Sequence, residues 1–266
     1  MDSVISKTFR KDNDTFITYS QEYITLAKEL DRIEAAARKA MNLQYILSNF
    51  KNESRSAVTI INSVLAEKYK IKDSFLLGGL YLKRGGANYR LDLEKAIEDY
   101  TLAIENFGKK DSIYIADAYL FRGQAYSNIG QFVPAGENYD KAYTYFEALK
   151  DYQYMAHAQQ GTITMFSRNG FYEKAKEERD ELITKLEGLG LKDFVTTELY
   201  NQALDYRNQK KQQLTIDFLK RAKNNISPET KGTTIHLNIL AALVSEYSKL
   251  NKYTLASQHM ELLEGY

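Results

Sequence analysis

The 266 residues, 44% apolar and 27% charged, have the composition of a folded chain rather than a disordered one. They exceed the ~100–200 residues of an ordinary globular domain, so internal repetition is tested first. The 36 Lys+Arg are offset by 35 Asp+Glu, which leaves none of the basic surplus a nucleic-acid binder uses to displace counterions from phosphates, and with no cysteine disulfides and thiolate chemistry are excluded.

The opening stretch, Met1 to Arg10, lacks the apolar segment of a signal peptide, and no run approaches the ~20 apolar residues of a membrane span. The chain as given is therefore expected in the cytoplasm without a membrane contact of its own, or in the periplasm if it is a sensor region excised from a longer protein. Pro134 and Pro228 are the two prolines. Both fall where a new helix is expected to begin, the place where a missing N–H costs nothing.

In chain order, the helical patterns alternate between two kinds. Tyr19/Tyr23/Leu26 comes first. Met41-Asn42 with Tyr45 then precedes Ala57/Ile61/Val64, and Leu77-Gly78 with Tyr81 precedes Ala96/Tyr100/Ala103, with Arg84 to Arg90 reading as an insertion in that hairpin. Arg122-Gly123 with Tyr126 leads into Ala135/Tyr139/Ala142, and Gln160-Gly161 with Thr164 into Ala175/Arg179/Leu182. Gln202-Ala203 with Tyr206 precedes Thr215/Leu219/Ala222, and Leu243-Val244 with Tyr247 precedes Ala256/Met260/Leu263.

Every triplet is spaced i, i+4, i+7, which puts its side chains on one helical stripe that must be buried against something. The triplets recur every 38 to 41 residues. In the leading helix a small residue allows close approach of its partner, and an aromatic nearly one turn further on fills the groove that is left. Gly130 and Gly170 are placed to end first helices in the left-handed conformation, while Asp73, Asp111, Asp151 and Asp193 are placed as N-caps.

The unit Tyr119-x-x-Arg122-Gly123-x-x-Tyr126-x-x-x-Gly130-x-Phe132-x-x-Ala135-x-x-x-Tyr139-x-x-Ala142 resembles the tetratricopeptide repeat (TPR). The resemblance extends over essentially the whole chain. Three features depart from the family pattern: a period nearer 40 than 34, the missing repeat-ending proline, and the Arg84–Arg90 segment. Repeats of this longer kind are similar to the sensor regions of bacterial regulators. The resemblance implies an all-α, right-handed superhelical solenoid of about seven antiparallel helix pairs, forming one domain over residues 1–266.

It also implies a function: non-catalytic binding of a protein or peptide, as the sensing or docking region of a larger regulator or, alternatively, as a stand-alone scaffold. In a TPR solenoid the first helices line the concave face. Carried over by position, this selects Gln124, Ser127 and Asn128, then Thr162, Met165 and Phe166, then Tyr200, Leu204, Arg207 and Asn208 as ligand-binding residues. The lysine-and-arginine clamp that some family members use for acidic tails is disfavoured, because Leu120 and Ala158 stand where basic residues would be.

No chemistry competes with this reading. His157, His236 and His259 share no metal-ligand spacing and read as exposed or half-buried helix residues. Gly78-Gly79, Gly85-Gly86 and Gly188-Leu189-Gly190 lack the Lys-Ser/Thr of a phosphate loop. Glu177-Glu178 with Asp180-Glu181 read as solvated helix charge, and the column tyrosines as core. No cofactor or metal is expected. At the other end of the chain Leu255, Leu262 and Tyr266 are left over after Ala256, Met260 and Leu263 are spent on the final hairpin. That surplus implies either a longer natural protein or a contact between copies through the last helix.

Overall fold

The computed structural model describes residues 11–266, which form thirteen α-helices, three short 3₁₀ turns and, among the described residues, no strand. The helices are α1 (Asn13–Glu29), α2 (Ile33–Asn49), α3 (Ser54–Leu65), α4 (Ser74–Asn88), α5 (Leu93–Asn106), α6 (Ser112–Asn128) and α7 (Phe132–Ala148). They continue with α8 (Tyr152–Arg168), α9 (Tyr172–Gly188), α10 (Lys192–Asn208), α11 (Gln212–Asn224), α12 (Thr234–Lys249) and α13 (Tyr253–Glu264). The chain divides into two compact units, Met1–Ala158 and Gln159–Tyr266. The expected array of seven pairs is seen as six complete pairs and α1. A first partner for α1, like the leader-free start read from Met1 to Arg10, would lie outside the described residues.

In the first unit successive helices pack in chain order, α1 on α2, α2 on α3, α4 on α5, α5 on α6 and α6 on α7, and the leading helices α2, α4 and α6 also contact one another in sequence. In the second unit α9 packs on α10, α10 on α11, α11 on α12 and α12 on α13. This is the sequential helix pairing of a TPR-like solenoid.

The stripes explain the pairing. All members of the five central triplets are buried, from Ala57/Ile61/Val64 through Thr215/Leu219/Ala222. The pattern fails at both ends. In α1, Tyr19 and Leu26 are exposed and the buried stripe is Ser20/Ile24/Ala27, the same spacing moved by one residue. In α13, Met260 is exposed and His259 is buried beside Ala256. Among the described residues α1 and α13 each pack on a neighbour on one side only, so sequence periodicity constrains their rotation least. Leu255, Leu262 and Tyr266 are exposed, although the Tyr266 ring meets His236 edge-on with centroids 5.1 Å apart.

Close crossings use small residues. A Cβ on Gly123 would lie 3.0 Å from the Tyr139 ring and 3.2 Å from Asn138, and Arg122 Nε donates to Asn138 Oδ1 at 2.8 Å across the same crossing. Ala135, fully buried on the facing helix, leaves no room for larger side chains. Ala135→Leu should lower stability by about 1–3 kcal/mol through overpacking, and a thermal melt indistinguishable from wild type would refute the column.

One crossing corrects the sequence reading. Arg84 to Arg90 is no insertion, because α4 runs through it to Asn88. Arg84 Nε donates to Asp99 Oδ1 at 2.8 Å, and a Cβ on Gly85 would sit 2.7 Å from the Tyr100 ring. Arg84-Gly85 therefore occupies the column of Arg122-Gly123, 38 residues earlier, in place of the expected Leu77-Gly78. In α2, likewise, the expected small residue Asn42 is exposed.

The caps and turns agree in part. Asp73 Oδ1 accepts from Phe75 N and Asp151 Oδ1 from Tyr154 N. Asp111 accepts from Gly108 N instead and closes a 3₁₀ turn, while Asp193 lies inside the first turn of α10. Asp12 and Asp92 are caps that the sequence reading passed over. Gly130 and Gly170 adopt the expected positive φ of 79° and 80°.

Candidate functional site

The leading helices of the first unit enclose a cleft of about 590 Å³. From α2 it takes Met41, Gln44 and Tyr45; from α4 Phe75, Gly79, Lys83 and Gly86; from α6 Tyr114, Asp117, Phe121 and Gln124. Its aromatic wall is mutually braced: Phe75 meets Tyr114 edge-on at 5.0 Å, Tyr114 stacks on Phe107 at 5.7 Å, and Phe121 packs 6.0 Å from buried Tyr100. At one end Arg90 is tied to the Ser48 carbonyl and to Asn49 Oδ1. Tyr89 accepts at its hydroxyl from Asn128 Nδ2 at 2.6 Å.

Two glycines next to each other do opposite jobs. Gly85 is held against Tyr100, whereas a Cβ on Gly86 would meet nothing nearer than Gln44 Nε2 at 3.9 Å. A glycine inside a helix costs up to about 1 kcal/mol relative to alanine, less in the last turn, where Gly86 lies. No packing contact among the described residues requires one at 86, so Gly86 leaves the helix backbone open in the lining of the cleft, where a ligand could approach closely.

Lys83 and Asp117 both border the cleft, are both only partly exposed, and make no hydrogen bond or ion pair among the described residues. Burial pushes the Asp117 carboxyl up to about 6, opposed by the charge of Lys83 and reinforced by that of Asp151. Burial likewise depresses the Lys83 ammonium, with Asp117 acting against the depression. Two desolvated opposite charges that attract each other without a hydrogen bond or ion pair, in an aromatic cleft, are a binding-site signature with a physical reason.

They also make a testable contribution to stability. The folded state holds the Asp117 proton more tightly than the unfolded chain does, so stability falls as pH rises from about 4 to about 6 and the penalty persists above that. Asp117→Asn should therefore be more stable than wild type by about 1–3 kcal/mol at pH 7. The gap should close as pH is lowered toward 4. Urea denaturation at several pH values checks this, and equal stability at pH 7 would contradict it.

Of the residues selected by position, Gln124 borders this cleft. Ser127 is half-buried outside it, and Asn128 is engaged with Tyr89. In the second unit Thr162 and Met165 are buried and leave a ligand little to touch. Phe166 is half-buried under the Lys174 ammonium, 4.3 Å from the ring centroid. Tyr200 and Leu204 are half-buried, Asn208 is exposed, and Arg207 Nε lies 2.9 Å from the buried Glu246 carboxylate rather than being free for a ligand.

The sequence reading missed Lys83, Gly86 and Asp117. Only Gly86 had a signal: it lies 38 residues before Gln124, so that selected column, extended back by one repeat, reaches the cleft. Lys83 and Asp117 lie on no selected column.

The second unit holds a different polar cluster. Arg179, with a side chain 3% exposed, donates to Glu198 at 3.1 Å and to Gln202 and Asp205, each at 2.8 Å. Gln160 donates to Glu198 and Ser167 to Asp205, so the carboxylates are well supplied with donors. Burial raises the Glu198 pKa, and the Arg179 charge opposes the shift. Every partner is internal, which marks this cluster as part of the core. His236 and His259 are buried as well, against the expectation of exposed or half-buried helix positions, and His157 is exposed. Among the described residues no His/Cys/Asp/Glu group is arranged to hold a metal ion, and no helix is long and apolar enough to cross a membrane.

No protein-family model and no curated protein matches the sequence. Solved structures do match. The chain is similar to RapI in its apo form, at 16% identity and a TM-score of 0.71 over 97% of this chain and 75% of that one. It is similar to a Rap protein complexed with competence and sporulation factor, at 15% identity and a TM-score of 0.57 over 97% and 73%. A third likeness is to a signal-transduction ATPase with a tetratricopeptide repeat sensor from Pyrococcus horikoshii, at 13% identity and a TM-score of 0.72 over 100% of this chain and 41% of that one. At such identities the likeness establishes the fold, an all-α TPR-like repeat structure.

Proposed function

We propose that this chain is a non-catalytic binding module that takes a peptide or protein segment into the cleft of its first unit, as the sensing or docking part of a larger regulator. The observation that carries the reading is Gly86, left open with no packing reason among the described residues in a cleft that Lys83 and an aromatic wall also line. A protein that only needed a stable repeat would do better with alanine at 86. Support also comes from the fold it shares with a Rap protein solved in complex with a factor and with the repeat sensor of a signalling ATPase. Half-buried Phe166, Tyr200 and Leu204 and exposed Asn208 are candidate contacts of the second unit. A stand-alone scaffold would use the same cleft and differ in lacking an output domain.

The test is affinity selection from a pool of free random peptides, identified by mass spectrometry, by the wild type and by Gly86→Leu, whose side chain would project into the cleft. The wild type is expected to enrich a related set of peptides. Gly86→Leu should retain native helical content and lose them. No enrichment by the wild type, or equal retention by the folded variant, would overturn the reading.

A further inference from the structure

The cleft pairs apolar walls with one positive and one negative group, which attract each other but make no hydrogen bond or ion pair among the described residues. Phe75, Tyr114 and Phe121 supply flat apolar surface, and the volume of about 590 Å³ falls within the ~300–1,000 Å³ typical of small-ligand sites. Lys83 stands on α4 and Asp117 on α6, so the two charges come from facing helices. Lys83 and Asp117 attract each other without forming an ion pair, Arg90 is committed to Ser48 and Asn49, and Asp151 carries the same sign as Asp117 and repels it. Opposite charges held apart in a partly desolvated place, with no hydrogen bond to either, lower stability unless something between them completes both. A ligand with both signs would complete both.

We infer that the cleft recognises a short free peptide with an apolar side chain, its carboxylate received by Lys83 and its ammonium by Asp117. This rests on the cleft being the binding site and adds the charge pattern of its occupant. The apolar side chain lies against Phe75, Tyr114 and Phe121, and the peptide main chain passes over the bare backbone at Gly86. A long internal segment of a protein partner has no free ends to offer these groups and binds less well.

The probes are free tripeptides Ala-X-Ala, with X being Phe, Leu or Val, each compared with its N-acetylated and its C-amidated form by calorimetry on the full chain. Each blocked end is expected to weaken binding at least tenfold. Lys83→Met should abolish the preference for carboxylate over amide while keeping that for ammonium over acetyl, and Asp117→Asn should do the reverse. Both variants remove a desolvated charge and are expected to fold, which circular dichroism verifies. Blocked and free peptides binding equally, or each variant erasing both preferences together, would overturn the assignment. So would failure of every tripeptide to bind; if peptides from the free random pool were still captured, the cleft would stand as a binding site and the charge pattern alone would fall.

Discussion

Arg179→Met is expected to destabilise the protein by about 3–5 kcal/mol, because it leaves the buried carboxylates of Glu198 and Asp205 without their cation. The three side chains are 3%, 3% and 9% exposed, so water cannot replace the arginine. The loss should depend on pH in a defined direction. Burial already raises the Glu198 pKa, and without the arginine the folded state would bind protons still more tightly than the unfolded chain. Where the native state binds the extra proton, stability falls as pH rises. The deficit of Arg179→Met should accordingly shrink as pH is lowered from neutral toward the carboxylate range. Denaturation by urea, followed by helical circular dichroism, measures it. A midpoint equal to wild type at pH 7, or a loss independent of pH, would contradict the account of this cluster.

The second large effect comes from a pair of adjacent substitutions. Gly85→Val should cost about 2–3 kcal/mol, since its Cβ alone would come within 2.7 Å of the buried Tyr100 ring, and the ring has no room to withdraw. Gly86→Ala should have the opposite sign and stabilise by up to about 1 kcal/mol, because it restores helix propensity in open space. Thermal melts of the two variants compare them directly. If both destabilised equally, Gly86 would be a packing glycine and the open backbone in the lining of the cleft would be misjudged.

The five central stripes were legible in the sequence because a helix with neighbours on both sides must bury the same column in every repeat. Ala96/Tyr100/Ala103 and Ala135/Tyr139/Ala142 are clear examples. At α1 the aromatic residues misled: Tyr19 and Tyr23 look like a stripe, yet Ser20 takes the fully buried place. A small polar residue on a close crossing has no signature in an apolar pattern. The glycine-rich end of α4 was read as an insertion because glycines suggest loops. Its role appears only with Tyr100 placed against Gly85 and nothing placed against Gly86.

The lining of the cleft was harder still to read. The position of the leading helices was readable, and Gln124, selected by it, borders the cleft. Which repeats open into a cleft depends on side-chain volumes across several helices, and this lies outside any single repeat. Arg207 illustrates the difficulty, since a groove arginine and one held by buried Glu246 have the same sequence pattern.

Amide hydrogen exchange of the full chain, with and without a peptide enriched from the free random pool, tests the central claim most directly. The bound peptide is expected to slow exchange along Phe75–Gly86 of α4 and Tyr114–Gln124 of α6, leaving α5 and α7 unchanged. Slowing confined to α5 and α7, or to the second unit alone, would contradict binding in the first-unit cleft.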